Sequence, residues 1–175
     1  MSAFAGIIET VAHKPVSKRA ITNLGVLNEA YGYAKPSSFS RGLRIDLGGA
    51  AILLISGTAS IDENGRSVHI GDFRAQMRRT LSNITGLLAS EGCTWHDIVR
   101  TTCYLRDIER DYEAFNEERT LFYKEQGLTP LPASTGIQAI LCRPELLVEI
   151  EAIAMFHPEK THGSEGLSSC VRESW

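Results

Sequence analysis

The chain has 175 residues, 43% of them hydrophobic, which suits one compact domain with a buried core and leaves too little for a second. Its formal net charge of −3 comes from interspersed residues of both signs, so there is no basic stripe to track phosphates and nucleic acid is a poor partner. No apolar run reaches the ~20 residues of a membrane span and no signal peptide is read at the start, so a cytoplasmic location is expected.

Three zones follow from the patterning. Residues 1–37 mix apolar and basic side chains without sustained periodicity and are read as an N-terminal extension. The stretch 38–158 is strongly patterned and is read as the domain, and 159–175 is a polar, Ser- and Gly-rich tail ending in Cys170, Val171 and Trp175. Within the domain, Leu43, Ile45 and Leu47 alternate with Arg44 and Asp46, and Ala51–Ile55 runs apolar into Ser56 and Gly57, the pattern of two adjacent strands. Gly48-Gly49 between them is a hairpin signal. A turn at Asp62–Gly65 precedes Asp72, a residue type that caps a helix, and the inward stripe of that helix is Phe73, Met77, Leu81, Ile84, Leu87 and Leu88. Gly92 ends it.

Val99–Leu105 reads as a third strand, Tyr112–Tyr123 as a second helix closed by Pro130 and Pro132, and Ser134–Leu141 and Leu146–Phe156 as two last strands. The last places Val148, Ile150, Ala152, Ala154 and Phe156 on one face. The order β-β-α-β-α-β-β implies an α+β fold, a sheet with both helices on one side. The other face then needs cover, and self-association is the usual source.

Chemistry-bearing residues are sparse. Cys93, Cys103, Cys142 and Cys170 form no C-x-x-C pair, and His13, His69, His96, His157 and His162 share no metal-binding spacing. No glycine motif for phosphates is present, so neither a metal nor a cofactor is expected. Cys103 sits among apolar neighbours mid-strand and Cys142 before a turn, neither with a histidine close by in sequence. Glu149, pointing from an otherwise apolar strand segment, is a candidate acid or base with a raised pKa, while strand ends also carry solvated glutamates.

Ile55-Ser56-Gly57, Gly71-Asp72, Gln76, Thr80-Leu81, Asn83-Ile84, Gly92, Asp97–Val99, Tyr104–Asp107, Phe115-Asn116, Pro132-Ala133 and Glu149–Ala154 fall in the order and spacing of one family. Over residues 38–156 the chain resembles the Rid (reactive intermediate deaminase, or YjgF) family. The resemblance implies a fold like bacterial chorismate mutase with a mixed sheet, a homotrimer, and small-molecule clefts between subunits. It also implies hydrolysis of 2-imino or enamine acids, with the substrate carboxylate held by the arginine of a P-A-R motif. Here that motif reads Pro132-Ala133-Ser134-Thr135, and the family's tyrosine before the first strand is Phe39. By the same resemblance Glu149 is the catalytic carboxyl, Asn116 a polar residue at the cleft rim, and Ser56-Gly57 its backbone lining.

Losing a desolvated Arg–carboxylate pair typically costs about 2–5 kcal/mol, so the usual deaminase site is disfavoured. Arg41 lies where it could reach the cleft and restore the charge, and Lys14, Lys18, Arg19 and Lys35 are further cations in the extension. The resulting expectation is a divergent pocket for a small reactive carbonyl, enol or imine metabolite, with Glu149 as acid–base residue and Phe39, Arg41, Ser56, Gly57, Asn116, Ser134 and Thr135 shaping it. Two alternatives stay open. One is a hydrolase or tailoring enzyme resembling the C-terminal half of chorismatases, which share a P-A-S-T-G type of turn with Pro132–Gly136; the other is a non-catalytic ligand sensor.

Overall fold

The structure is a computed structural model and describes residues 15–33 and 36–158. The tail with Cys170, Val171 and Trp175, the first fourteen residues, and Lys35 lie outside the described residues. In chain order the elements are β1 (Ser17–Ala20), β2 (Gly42–Asp46), β3 (Ala51–Ala59), α1 (Phe73–Ala89), β4 (Ile98–Leu105), α2 (Ile108–Glu125), β5 (Ala133–Gln138) and β6 (Val148–Phe156). They form one six-stranded mixed sheet in the order β1-β2-β3-β6-β4-β5, with both helices against one face, as the α+β reading expects. Only β4 and β5 run parallel, and α2 is the crossover that joins them, the connection parallel neighbours require.

Local chemistry explains the elements. Asp72 accepts from the amide of Ala75 at 2.9 Å and starts α1; replacing such a cap by Ala costs ~1 kcal/mol. The α1 stripe Phe73, Met77, Leu81, Ile84, Leu87 and Leu88 is buried. Gly48, Gly65 and Gly92 take φ of +80°, +78° and +70° at the hairpin, the turn and the end of α1. Helix α2 begins four residues before the expected Tyr112, because Asp107 caps it through the amide of Arg110 at 3.1 Å. Trp95 is fully buried, donates to Thr85 Oγ1 at 2.8 Å and meets the edge of Phe122 at 5.0 Å, which fastens α2 to α1.

Two features differ from a simple reading of the pattern. The stretch before residue 38 supplies β1, whose four residues are all exposed; Ser17 pairs with Asp46 and Ala20 with Leu43. Arg19 holds Glu91 through two contacts of 2.7 and 2.6 Å, joining this strand to the end of α1. In β2 the apolar row faces away from the helices. Leu43 and Ile45 pair with Leu54 and Ile52, which pair with Ile153 and Met155. Arg44 faces the helix side, pairs across with the fully buried Leu53, and binds Glu91 at 3.2 Å.

Candidate functional site

Strand β3 does not pair evenly with β6. Its register shifts between Ile55 and Thr58, so Ser56 and Gly57 leave the ladder, and the polar groups of Ser56 find other partners. The Ser56 amide donates to the Arg41 carbonyl at 3.0 Å and its hydroxyl to the Ser40 carbonyl at 2.8 Å. This bulge re-aims the strand and opens a hollow on the face opposite the helices. Glu149 fills part of that hollow. A Cβ on Gly57 would overlap Glu149 Oε1 and come within 3.0 Å of its Cδ, so only glycine lets the carboxyl lie against the backbone there.

The hollow belongs to a cavity of about 1190 Å³ lined by Tyr33, Phe39, Arg41, Ser56, Gly57 and Glu149, with Arg143 and Glu151 beside them. Burial raises the pKa of Glu149, and the like charge of Glu151, two residues along the same face, raises it further. A carboxyl in that environment keeps its proton above the ordinary carboxylate range.

Arg41 is 5% exposed, a buried residue where composition alone favours the surface. Its Nε donates to the carbonyl of Asn28 at 3.1 Å and an Nη to the hydroxyl of Tyr33, and its guanidinium lies 4.9 Å from the Tyr33 ring centre and 5.2 Å from that of Phe39. Phe39, where the resemblance expects a tyrosine, thus gives its face to a cation, and Tyr33 brings a phenol into the cavity from the preceding segment. Burial holds that phenol neutral, with Arg41 and Arg143 partly offsetting the shift.

The structure brings together Phe39, Arg41, Ser56, Gly57 and Glu149. It does not bring Asn116, Ser134 or Thr135 to them. Ser134 lies on β5 opposite Thr101, and Glu149 on β6 opposite Tyr104. From those registers Ser134 is two strands across, roughly 10 Å, and three residues along, roughly 10 Å more, with its side chain on the helix side. Its hydroxyl meets Thr101 Oγ1 at 3.0 Å and Arg119 Nη1 at 3.1 Å. Asn116 accepts from Arg119 Nη2 at 2.6 Å and donates to the carbonyl of Tyr112 at 3.1 Å. Thr135 points to the other face and accepts from Arg100 at 3.1 Å.

No sequence motif marks Tyr33 or Arg143 for the site, and Arg119 reads there only as part of the helical spacing of α2. Only Arg119 carried a signal, since it lies one helical turn after Asn116. Among the described residues the three cysteines have thiols that keep their protons more firmly than a free thiol. Burial pushes the Cys93 thiol up to about 11 and raises that of Cys103 as well. Cys142 lines the cavity near Glu149, and burial together with that carboxyl raises its thiol too. No group of three potential metal ligands occurs among the described residues.

Comparison with known proteins identifies the frame. Residues 36–156 match the endoribonuclease L-PSP family. The 3-aminoacrylate deaminase RutC of Acinetobacter baylyi is 34% identical over 103 residues, 59% of this chain and 78% of that protein. A RutC family protein of Haemophilus influenzae is 32% identical over 111 residues, 63% of this chain and 82% of that one. The crystal structure of the YjgF gene product of E. coli superposes with a TM-score of 0.62 at 26% identity, covering 78% of this chain and 97% of that one. The chain belongs to this endoribonuclease L-PSP family, the Rid/YjgF family.

Proposed function

We propose that the protein hydrolyses a small imine or enamine acid to the corresponding oxo acid, with Glu149 as the acid–base group, in a cleft that a second copy of the chain completes. The observation that carries the proposal is the Glu149 carboxyl, set against Gly57 in the cavity, where burial raises its pKa. The likeness to a 3-aminoacrylate deaminase supports the substrate class.

Such a hydrolysis needs one group that gives a proton to nitrogen and takes one from water. Neutral Glu149 protonates the imine nitrogen. The resulting carboxylate accepts a proton from water as the water oxygen bonds to the iminium carbon. The carboxyl then protonates the amine of the carbinolamine and takes the hydroxyl proton back as the carbon–nitrogen bond breaks. Ammonia and the oxo acid leave, and Glu149 is neutral again. The Ser56-Gly57 bulge fixes the carboxyl, and Phe39, Arg41 and Tyr33 form the wall beside it.

Two observations support a second copy. At about 1190 Å³ the cavity exceeds the ~300–1,000 Å³ of a typical small-molecule site, which leaves room for another chain's side chains. Leu43, Ile45, Ile52, Leu54, Ile153 and Met155 form an apolar row on the sheet face away from the helices, and Leu54 and Met155 are 39% and 47% exposed. A homotrimer, the family's form, covers such a face. The rim residues Asn116, Ser134 and Thr135 then come from the neighbour. With Ser134 in the place of the family's arginine, the carboxylate of the substrate needs another cation.

The test is turnover of freshly generated 2-iminobutyrate, followed as 2-oxobutyrate formation. Glu149→Gln is expected to lower kcat by at least about a hundredfold while the protein stays folded; unchanged turnover would sink the proposal. Pyruvate release from chorismate, with no imine hydrolysis, would favour the reading in which Glu149 protonates an enol ether.

A further inference from the structure

We propose that Arg119 is the carboxylate-binding cation of the cleft, the positive charge having moved from the edge strand to helix α2. The inference rests on the preceding reading, that the substrate is a small acid. Ser134 itself offers only a hydroxyl, and that hydroxyl lies 3.1 Å from the Arg119 guanidinium. The charge missing from the strand is therefore present beside it, carried in by a side chain from another element.

Arg119 is held in place and its charge is unmatched. Asn116 Oδ1 accepts from Nη2 at 2.6 Å, Ser134 Oγ meets Nη1, and the guanidinium carbon stands 4.5 Å from the centre of the Phe115 ring. These three contacts fix the plane of the fork, and all three partners are neutral. Other N–H groups of the guanidinium remain for a ligand. Among the described residues Arg119 makes no ion pair, whereas the adjacent Glu118 is bound by both Arg74 and Arg78 from α1 at 3.1 and 2.8 Å. Helix α2 thus turns Glu117 and Glu118 to the arginines of α1 and leaves the half-buried Arg119 guanidinium over β5.

A planar, pre-positioned guanidinium with neutral neighbours suits bidentate capture of a carboxylate. Asn116 serves as a positioning residue, because its side chain orients Arg119. Arg100, which donates to Thr135 on the opposite face of the same strand, is the competing candidate.

The experiment measures 2-oxobutyrate binding by calorimetry and compares it with the uncharged methyl ester of the same acid. The native protein should bind the acid and not the ester. Arg119→Gln should weaken acid binding by at least about tenfold, Arg119→Lys should recover part of it, and the exchange Ser134→Arg with Arg119→Gln should restore it. Equal binding by Arg119→Gln, loss on Arg100→Gln instead, or no acid binding by the native protein would each overturn the assignment. Imine turnover is scored separately: a native enzyme that turns over imine while Arg119→Gln binds acid normally leaves the function standing and removes only Arg119.

Discussion

The centre of the sheet and its β5 edge are built differently. On the β3–β6 side a bulge, a glycine and a half-buried glutamate line a hollow, with Arg41 fixed by a backbone carbonyl, a phenol and two ring faces. On the β5 side every strand residue is exposed, and the functional groups stand on an edge with no wall opposite them. The first has a carboxyl in a shaped pocket, and the second has a guanidinium that makes no ion pair among the described residues. The half-buried carboxyl and the guanidinium beside Ser134 stand on separate elements, β6 and α2, so each can change without disturbing the other.

The comparison breaks most directly by complementation. Glu149→Gln chains, nearly inactive alone, and Arg119→Gln chains, weakened alone at low substrate, are unfolded together and refolded as a mixture. If the two groups meet across copies, about a quarter of the sites regain both native residues and imine turnover returns. Persistent inactivity would put both groups in one chain's site. A smaller effect is expected of Gly57→Ala. The added methyl displaces a flexible carboxyl and no backbone, so turnover should fall more than about tenfold with little loss of thermal stability, and unaltered turnover would detach the bulge from catalysis.

The smallest effect concerns stability. Because the folded-state pKa of Glu149 is raised, the folded chain holds this proton more tightly than the unfolded chain does. Stability therefore falls as pH rises from the ordinary carboxylate range through the folded value. Glu149→Gln removes that loss. Its melting temperature should exceed the native one by a few degrees at neutral pH, and the gap should close below about pH 4. A gap that widened on acidification would contradict a raised pKa at Glu149.

Much of the fold was legible because period and punctuation agree: the α1 stripe, its Asp72 cap, the Gly48 hairpin and the alternation of β6 are local signals. Strand β1 was not, since four exposed residues that pair on one side bury nothing and leave no pattern. The place of β6 between β3 and β4 depends on pairings far apart in sequence, which no local window contains. In the site, Glu149 and Gly57 could be singled out through the family's motifs. The burial of Arg41 could not, because it depends on Tyr33 and Asn28 folding back over it. Arg119 has a visible spacing from Asn116, but no local pattern sets a helix-surface arginine apart from the cations of the N-terminal segment.

That segment has a practical meaning for anyone dividing the gene. The family match begins at residue 36, yet Ala30 and Tyr33 line the cavity, Asn28 accepts from Arg41, and Arg19 grips Glu91. A fragment trimmed to the homologous region would keep its ancestry and lose a side of its own vessel, so similarity bounds and working bounds are different borders in this protein.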